Sequence, residues 1–110
     1  MAALLVLCTC PDEASAQALA ESLVGQHLAA CVNVLPRMRS VYRWEGRIER
    51  AEEVLLLAKT TGARFGELRE HIVRMHPYKL PEVLGFEAAA GLESYLGWID
   101  TETRPDEASA

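Results

Sequence analysis

The hydrophobic pattern of the first third of the chain predicts a strand, a helix and a second strand. Ala3 to Thr9 is a short apolar run bounded by Pro11-Asp12, which is typical of a strand buried on both faces at the centre of a sheet. Apolar residues then recur at i, i+3, i+4, i+7 and i+8, which predicts an amphipathic helix from about Glu13 to Gln26. A second apolar run, Cys31 to Leu35, predicts the next strand.

The middle of the chain predicts a long hairpin. Pro36 has no amide hydrogen, so we expect a bulge or an edge position there. Polar and apolar residues alternate from Ser40 to Trp44, and Glu45-Gly46 supplies a tight turn. The third strand, Arg47 to Thr60, reaches roughly 46 Å at about 3.3 Å per residue, whereas a compact domain of this size is about 34 Å across. We therefore expect the hairpin to overhang and a partner chain to cover it, unless it bends back over its own sheet.

The remaining pattern completes an α+β fold. Apolar residues at helical spacing from Phe65 to Met75 predict a second helix, and Pro77 ends it. Glu82 to Glu87 predicts a fourth strand, and Leu92 to Ile99 predicts a short last helix. The order β-α-β-β-α-β-α is the ferredoxin-like, split β-α-β plan with a long β2-β3 hairpin and an added C-terminal helix.

Composition limits the domain count and the partners. The chain has 110 residues, half of them apolar and a quarter charged, which are the values of one globular domain. We expect a single domain over residues 1–103 and a disordered tail over 104–110, because the tail has no apolar face to bury. The formal charge of −5 repels phosphate groups, which argues against nucleic acid and anionic membranes as partners.

Three features of the sequence favour the cytoplasm. The longest apolar run, Ala2 to Cys8, is far shorter than the roughly 20 residues that span a bilayer. It also lacks the basic leader and the cleavage site of a secretory signal. Cys8, Cys10 and Cys31 are odd in number, and the first two are two residues apart, which suits a reducing compartment better than a disulfide framework.

Cys8 and His76 are the candidate metal ligands. In the split β-α-β plan the first and fourth strands are antiparallel neighbours, so both residues lie at one edge of the sheet. A thiolate and an imidazole suit copper or zinc. Cys10, on the same strand face as Cys8, and Met75, beside His76, are further candidate ligands. The alternatives are packing for the cysteines and helix capping for the histidine.

We expect structural roles for the other polar residues and no catalytic group among them. His27 and His71 lie among polar neighbours, so we expect both to be solvated. Alternating Arg and Glu residues along the hairpin predict cross-strand ion pairs. The sequence has no phosphate-binding loop, paired-cysteine zinc motif or nucleotide fingerprint. A Cys-His nucleophile pair is the one enzymatic option, and nothing in the sequence orients the imidazole as a base, so we expect no enzyme.

Several motifs, in order and at similar spacing over residues 3 to 100, resemble one known family. They are Cys8-Thr9-x-Pro11-Asp12, Leu28-Ala29-Ala30-Cys31-Val32-Asn33, Ser40-Val41-Tyr42-Arg43-Trp44-Glu45-Gly46, Glu53-Val54 with Lys59-Thr60-Thr61, His76-Pro77-Tyr78 with Pro81-Glu82, and Tyr95-Leu96-x-Trp98-Ile99. Together they resemble the CutA family of divalent-cation tolerance proteins.

This resemblance implies a fold, an assembly and a function. It implies a ferredoxin-like homotrimer whose long strands pair across subunits, similar in architecture to the PII signalling proteins. It also implies weak binding of copper or another divalent metal ion and a role in metal homeostasis. The family's cysteine at the end of the first strand corresponds to Cys8, and its histidine before Pro-Tyr corresponds to His76. Some members carry a second histidine where this chain has Met75, and Cys10 lies outside the family pattern.

A second interpretation is a PII-like signalling or scaffolding trimer. In it, clefts between subunits bind a small molecule or a partner protein, and metal affinity is incidental. The candidate cleft residues are Tyr42, Trp44, Lys59, Tyr78 and Glu82. Interface packing also accounts for the aromatic rings among them. The sequence leaves both functions open, along with the ion and the identity of any protein partner.

Overall fold

The structure, a computed structural model, describes residues 2–105 and contains the seven elements in the predicted order. They are β1 (Ala3–Cys10), α1 (Glu13–Gly25), β2 (Cys31–Trp44), β3 (Arg47–Thr61), α2 (Gly62–Met75), β4 (Leu84–Glu87) and α3 (Glu93–Glu102). This order confirms the ferredoxin-like, split β-α-β plan with the added C-terminal helix.

The four strands form one antiparallel sheet in the order β2-β3-β1-β4. β1 pairs with β3 from Ala3 to Cys10. On its other edge β1 pairs with β4 only from Leu4 to Leu7. The last residues of β1 therefore have one edge without a strand partner in the described part of the chain, and this edge positions the site described below.

One face of the sheet forms the hydrophobic core with α1 and α2. Side chains alternate along a strand, so Val6, Cys8 and Cys10 share this face of β1. All three belong to the buried cluster, as do Leu23 of α1 and Leu68 of α2. Cys8 and Cys10 are thus core residues as well as candidate ligands.

The opposite face of the sheet exposes apolar side chains. Three of them are large and about half exposed: Leu35 (42%), Leu84 (52%) and Phe86 (51%). Their register partners are Leu55, Leu7 and Leu5, so apolar side chains from all four strands lie on this face. Monomeric proteins rarely leave such a surface in contact with water.

The β2-β3 hairpin confirms the predicted bulge and turn. The register shifts between Leu35 and Met38, and Arg37 within this bulge has a φ of 62°. Glu45 and Gly46 both have positive φ, the backbone that a tight hairpin turn with right-handed strand twist requires. The molecule measures 45 Å along its longest axis, beyond the about 34 Å of a compact sphere of this chain length.

Three elements begin at other residues than the hydrophobic pattern predicts. α3 begins at Glu93, because Leu92 is its N-cap. α2 begins at Gly62, well before Phe65, because β3 leads directly into it and Thr61 is its N-cap. β4 begins at Leu84 and not at Glu82, because pairing with β1 begins at Leu84.

The predicted ion pairs along the hairpin are wrong. Within residues 2–105 the ion pairs are Arg64–Glu67 and Arg104–Asp100. The first lies within α2, and the second joins α3 to the residues that follow it. The strand register explains much of the difference, because it places Arg43 opposite an isoleucine and Arg50 opposite a valine.

His27 and His71 are half-buried, which corrects the expectation that both are solvated. The His71 Nε2 atom lies 2.7 Å from the hydroxyl of Ser22. The His27 Nδ1–H donates to the carbonyl of Glu102 at 3.1 Å. The first contact connects α1 to α2, and the second connects the segment after α1 to α3.

The chain just beyond α3 contacts the end of that helix. In the tail predicted to be disordered, Arg104 bonds to Asp100 at 3.0 Å, and residues 106–110 lie outside the described residues. Between residues 2 and 105, none of the helices has the length and apolar character needed to cross a membrane.

Candidate metal centre

The end of α2 directs the His76 ring toward β1. Pro77 follows His76, and a residue before proline is pushed out of the helical region, so His76 has an extended backbone with φ −74° and ψ 137°. Its N–H still donates to the carbonyl of Ile72 at 2.8 Å. The side chain is buried, with 8% exposure, at the edge of β1 that β4 leaves uncovered.

Both ring nitrogens of His76 are hydrogen-bonded to the backbone. Nδ1 accepts from the N–H of Tyr78 at 3.0 Å. A carbonyl oxygen only accepts, so the 2.6 Å contact between Nε2 and the carbonyl of Thr9 requires a proton on Nε2. These partners assign the neutral ring with its proton on Nε2.

Two thiols lie beside this ring. Cys10 Sγ is 3.7 Å from His76 Nε2. One ligand atom each from Cys8, Cys10 and His76 lie within 4.8 Å of one another, and all three residues are buried. The structure thus brings Cys8 and His76 together, and it adds Cys10, which shares the face of β1 on which Cys8 lies.

The two thiols affect each other's acidity. The hydrogen bond to Cys10 and burial raise the pKa of Cys8 above its usual range. The same hydrogen bond lowers the pKa of Cys10. Cys10 is therefore the thiol that loses its proton first, with Cys8 donating to the thiolate that forms.

The donor atoms suit a soft metal ion. Two sulfurs and an imidazole nitrogen are ligands that copper and zinc accept, and the 4.8 Å span needs only a small contraction for metal–ligand bonds of about 2.0–2.3 Å.

A groove of about 600 Å³ lies on the exposed face of the sheet, opposite the core face that carries the two thiols. Its lining includes four of the five candidate cleft residues: Tyr42, Trp44, Tyr78 and Glu82. Lys59 lies elsewhere, because it is opposite Cys31 in the register; its amine donates to Asn33 Oδ1 and lies 3.8 Å from Cys31 Sγ.

A buried carboxylate lies at the base of the groove. The Tyr78 hydroxyl donates to Glu53 Oε2 at 2.7 Å, and Glu53 is only 8% exposed. Burial and the bond to Glu53 raise the pKa of Tyr78 above its usual range. Glu53 is one of several glutamates along the hairpin, and nothing in the sequence distinguishes it from the others. The contact with Tyr78 could therefore not be predicted.

Comparison with known proteins identifies the family. Residues 4–102 match the family described as CutA1 divalent ion tolerance protein. The chain belongs to the CutA1 family. It is 42% identical over 99 residues to the divalent-cation tolerance protein CutA of Thermus thermophilus, covering 90% of this chain and 96% of that protein. It is 43% identical over 102 residues to CutA of Pectobacterium atrosepticum, covering 93% of each.

Solved CutA structures share the fold. The structure of the divalent cation tolerance protein from Thermus thermophilus has a TM-score of 0.91 at 41% identity, covering 93% of this chain and 99% of that one. A CutA described as periplasmic, from Archaeoglobus fulgidus, has a TM-score of 0.90 at 34% identity, covering 93% and 99%. Both confirm the family resemblance and the α+β fold.

Two further sulfur-bearing residues lie near Cys8 and His76. Met75, at the end of α2, is 44% exposed. Cys10 is fully buried and lies against the His76 ring. Sequence spacing placed Cys10 on the face of Cys8 but gave no distance to the histidine.

Proposed function

We propose that this chain binds copper or a similar heavy-metal ion through Cys8 and His76 and acts as a homotrimer in metal homeostasis. The observation that carries the proposal is the convergence of these two residues, with Cys10, to within 4.8 Å at the end of β1. The naming of the CutA relatives for divalent-cation tolerance supports the same function.

The hydrogen bonds of His76 predict modest affinity. Copper would supply a soft Lewis acid that takes the nitrogen lone pair and the thiolate sulfur. To offer Nε2, His76 must release the proton that it donates to Thr9, and a proton on Nδ1 then faces the N–H of Tyr78. Two hydrogen bonds are therefore lost on binding, each with a net value of about 0.5–1.5 kcal/mol.

Calorimetric titration tests this assignment. Wild type and a Cys8→Ala plus His76→Ala double variant are titrated with Cu(II) and, under reductant, with Cu(I). We expect the double variant to lose the binding isotherm. Cys31→Ala plus His71→Ala is the matched control, because it removes the same residue types away from the cluster, and it should bind as wild type does. Identical isotherms for wild type and the site variant would refute the assignment.

The exposed apolar surface supports the homotrimer. Leu35, Leu84 and Phe86 lie about half exposed on the sheet face opposite the helices. The hairpin adds Trp44 and Ile48, which are 40% and 55% exposed. Pairing of three such sheets would bury both regions. Light scattering should give a trimer mass, and deletion of Trp44 to Gly46 should lower it; an unchanged mass would contradict the proposed interface.

A cytoplasmic location is part of the proposal. Its support is the free state of all three cysteines, two of them buried. Fractionation of cells that express the tagged full chain should place it with cytoplasmic markers. Recovery with periplasmic markers would contradict this location.

The groove favours a second candidate function, as a signalling trimer that binds a small molecule. Its volume of about 600 Å³ is within the range of ligand sites, about 300–1,000 Å³, and it combines aromatic and charged side chains. A thermal-shift screen of metabolites tests this function. A ligand at 100 times its dissociation constant should stabilise the protein by about 2.7 kcal/mol. Stabilisation that Trp44→Ala abolishes would favour signalling over metal binding.

A further inference from the structure

The environment of Cys10 is unusual for a residue that only fills space. Its side chain is fully buried, yet its sulfur lies 3.7 Å from a ring nitrogen of His76 and within 4.8 Å of the Cys8 thiol. Met75, the other sulfur near the cluster, is 44% exposed.

We infer that Cys10 is a third metal ligand and that it makes the site selective for Cu(I). This inference rests on the proposed metal-binding function and deepens it. With Cys10 included, the site offers two sulfurs and one nitrogen from Cys8, Cys10 and His76. Soft thiolate ligands favour Cu(I) over harder ions.

The number of ligands gives the second argument for Cu(I). Within residues 2–105 the cluster contains three His, Cys, Asp or Glu residues, and no fourth joins it. The nearby carboxylate of Glu53 is already bonded to Tyr78 on the other face of the sheet. Zinc sites are almost always four-coordinate, whereas Cu(I) is stable with three soft ligands. The burial of all three residues also leaves little access for water as a fourth ligand.

A Cu(I) competition titration against a chromophoric chelator, under reductant and without oxygen, tests the role of Cys10. The proteins are wild type, Cys10→Ser, Cys10→Ala, Cys8→Ser and the control Cys31→Ser. Removal of a residue that only hydrogen-bonds to a metal ligand typically lowers metal affinity by about 10–100-fold. Removal of a ligand itself at Cys10 should therefore weaken Cu(I) binding at least about tenfold. Cys31→Ser should bind as wild type does, because its sulfur lies beside Lys59, away from the cluster.

X-ray absorption at the copper edge counts the ligand atoms around copper directly. Wild type loaded with Cu(I) should show two sulfurs and one nitrogen per copper, and Cys10→Ser should show one sulfur. Unchanged Cu(I) affinity in both Cys10 variants, or one sulfur per copper in wild type, would overturn the inference about Cys10. If Cys8→Ser loses binding in the same experiment, the proposed metal-binding function still stands. Absence of Cu(I) binding in wild type would overturn both. A melting curve for each variant verifies that it is folded.

Discussion

The His76 ring and the carbonyl of Thr9 are joined by a 2.6 Å hydrogen bond from Nε2. The other ring nitrogen accepts the N–H of Tyr78, so one imidazole connects the end of β1 to the loop that follows α2. The loop continues into the groove, where the Tyr78 hydroxyl bonds to Glu53. A change in the protonation or bonding of Nε2 is therefore connected to the groove through His76 and Tyr78.

Metal binding should change the environment of the Tyr78 amide. Release of the Nε2 proton requires a proton on Nδ1, which removes the acceptor of the Tyr78 N–H. In a ¹⁵N-resolved NMR titration with Cu(I), we expect the Tyr78 amide resonance to shift in step with copper occupancy. The amide of Tyr95, in α3, is the control and should not move. A Tyr78 resonance that stays in place while copper binds would contradict coordination at Nε2.

Replacement of the Tyr78 hydroxyl should destabilise the fold. Tyr78→Phe leaves the buried carboxylate of Glu53 without its donor, and an unsatisfied buried polar group costs about 1–3 kcal/mol. Urea unfolding at fixed protein concentration measures the loss. Tyr95→Phe is the matched control, because Tyr95 is 42% exposed, and it should change the free energy of unfolding little. Equal stability of Tyr78→Phe and wild type would show that the bond to Glu53 contributes nothing.

Stability should fall at high pH because of Tyr78. Its pKa is raised in the folded state by burial and by Glu53, so the unfolded chain releases this proton at a lower pH than the folded chain does. Stability from this group is present below the ordinary tyrosine pKa of about 10 and decreases as pH rises above it. Urea unfolding across this range should show a steeper decline for wild type than for Tyr78→Phe. Parallel pH profiles would contradict the raised pKa.

His71 should make the fold sensitive to acid. Burial, with Arg74 as the second cause, lowers the pKa of His71 below its ordinary value of 6.5. The unfolded chain therefore binds this proton first, and stability decreases as pH falls below about 6.5. His71→Gln should reduce the acid-induced decrease in the urea midpoint. A variant with the same pH dependence as wild type would assign the acid sensitivity to other groups.

The element order and the hairpin could be predicted because local rules determine them. Pro36 lacks an N–H and must leave the ladder, and the bulge follows directly after it. Glu45-Gly46 occupies the positive-φ turn for similarly local reasons. The start of α2 was wrong because Thr61 connects strand and helix without a loop, and the hydrophobic pattern does not record such a junction.

The candidate centre could be predicted only in outline. Topology was sufficient to bring Cys8 and His76 to one sheet edge, because neighbouring strands determine that edge. The tautomer of His76 depends on two backbone groups that only the folded loop supplies. Lys59 stays a predicted residue of a cleft between subunits; within the single chain the register puts it opposite Cys31, away from the groove. The features that could not be predicted depend on contacts between segments that are distant in the sequence, and local sequence patterns do not encode such contacts.

A copper-soaked crystal with anomalous diffraction data collected at the copper edge tests the central claim most directly. The account predicts one anomalous peak per subunit at the end of β1, within bonding distance of Cys8 Sγ and His76 Nε2. A peak at any other residues, or no peak at this edge in a fully soaked crystal, would contradict it.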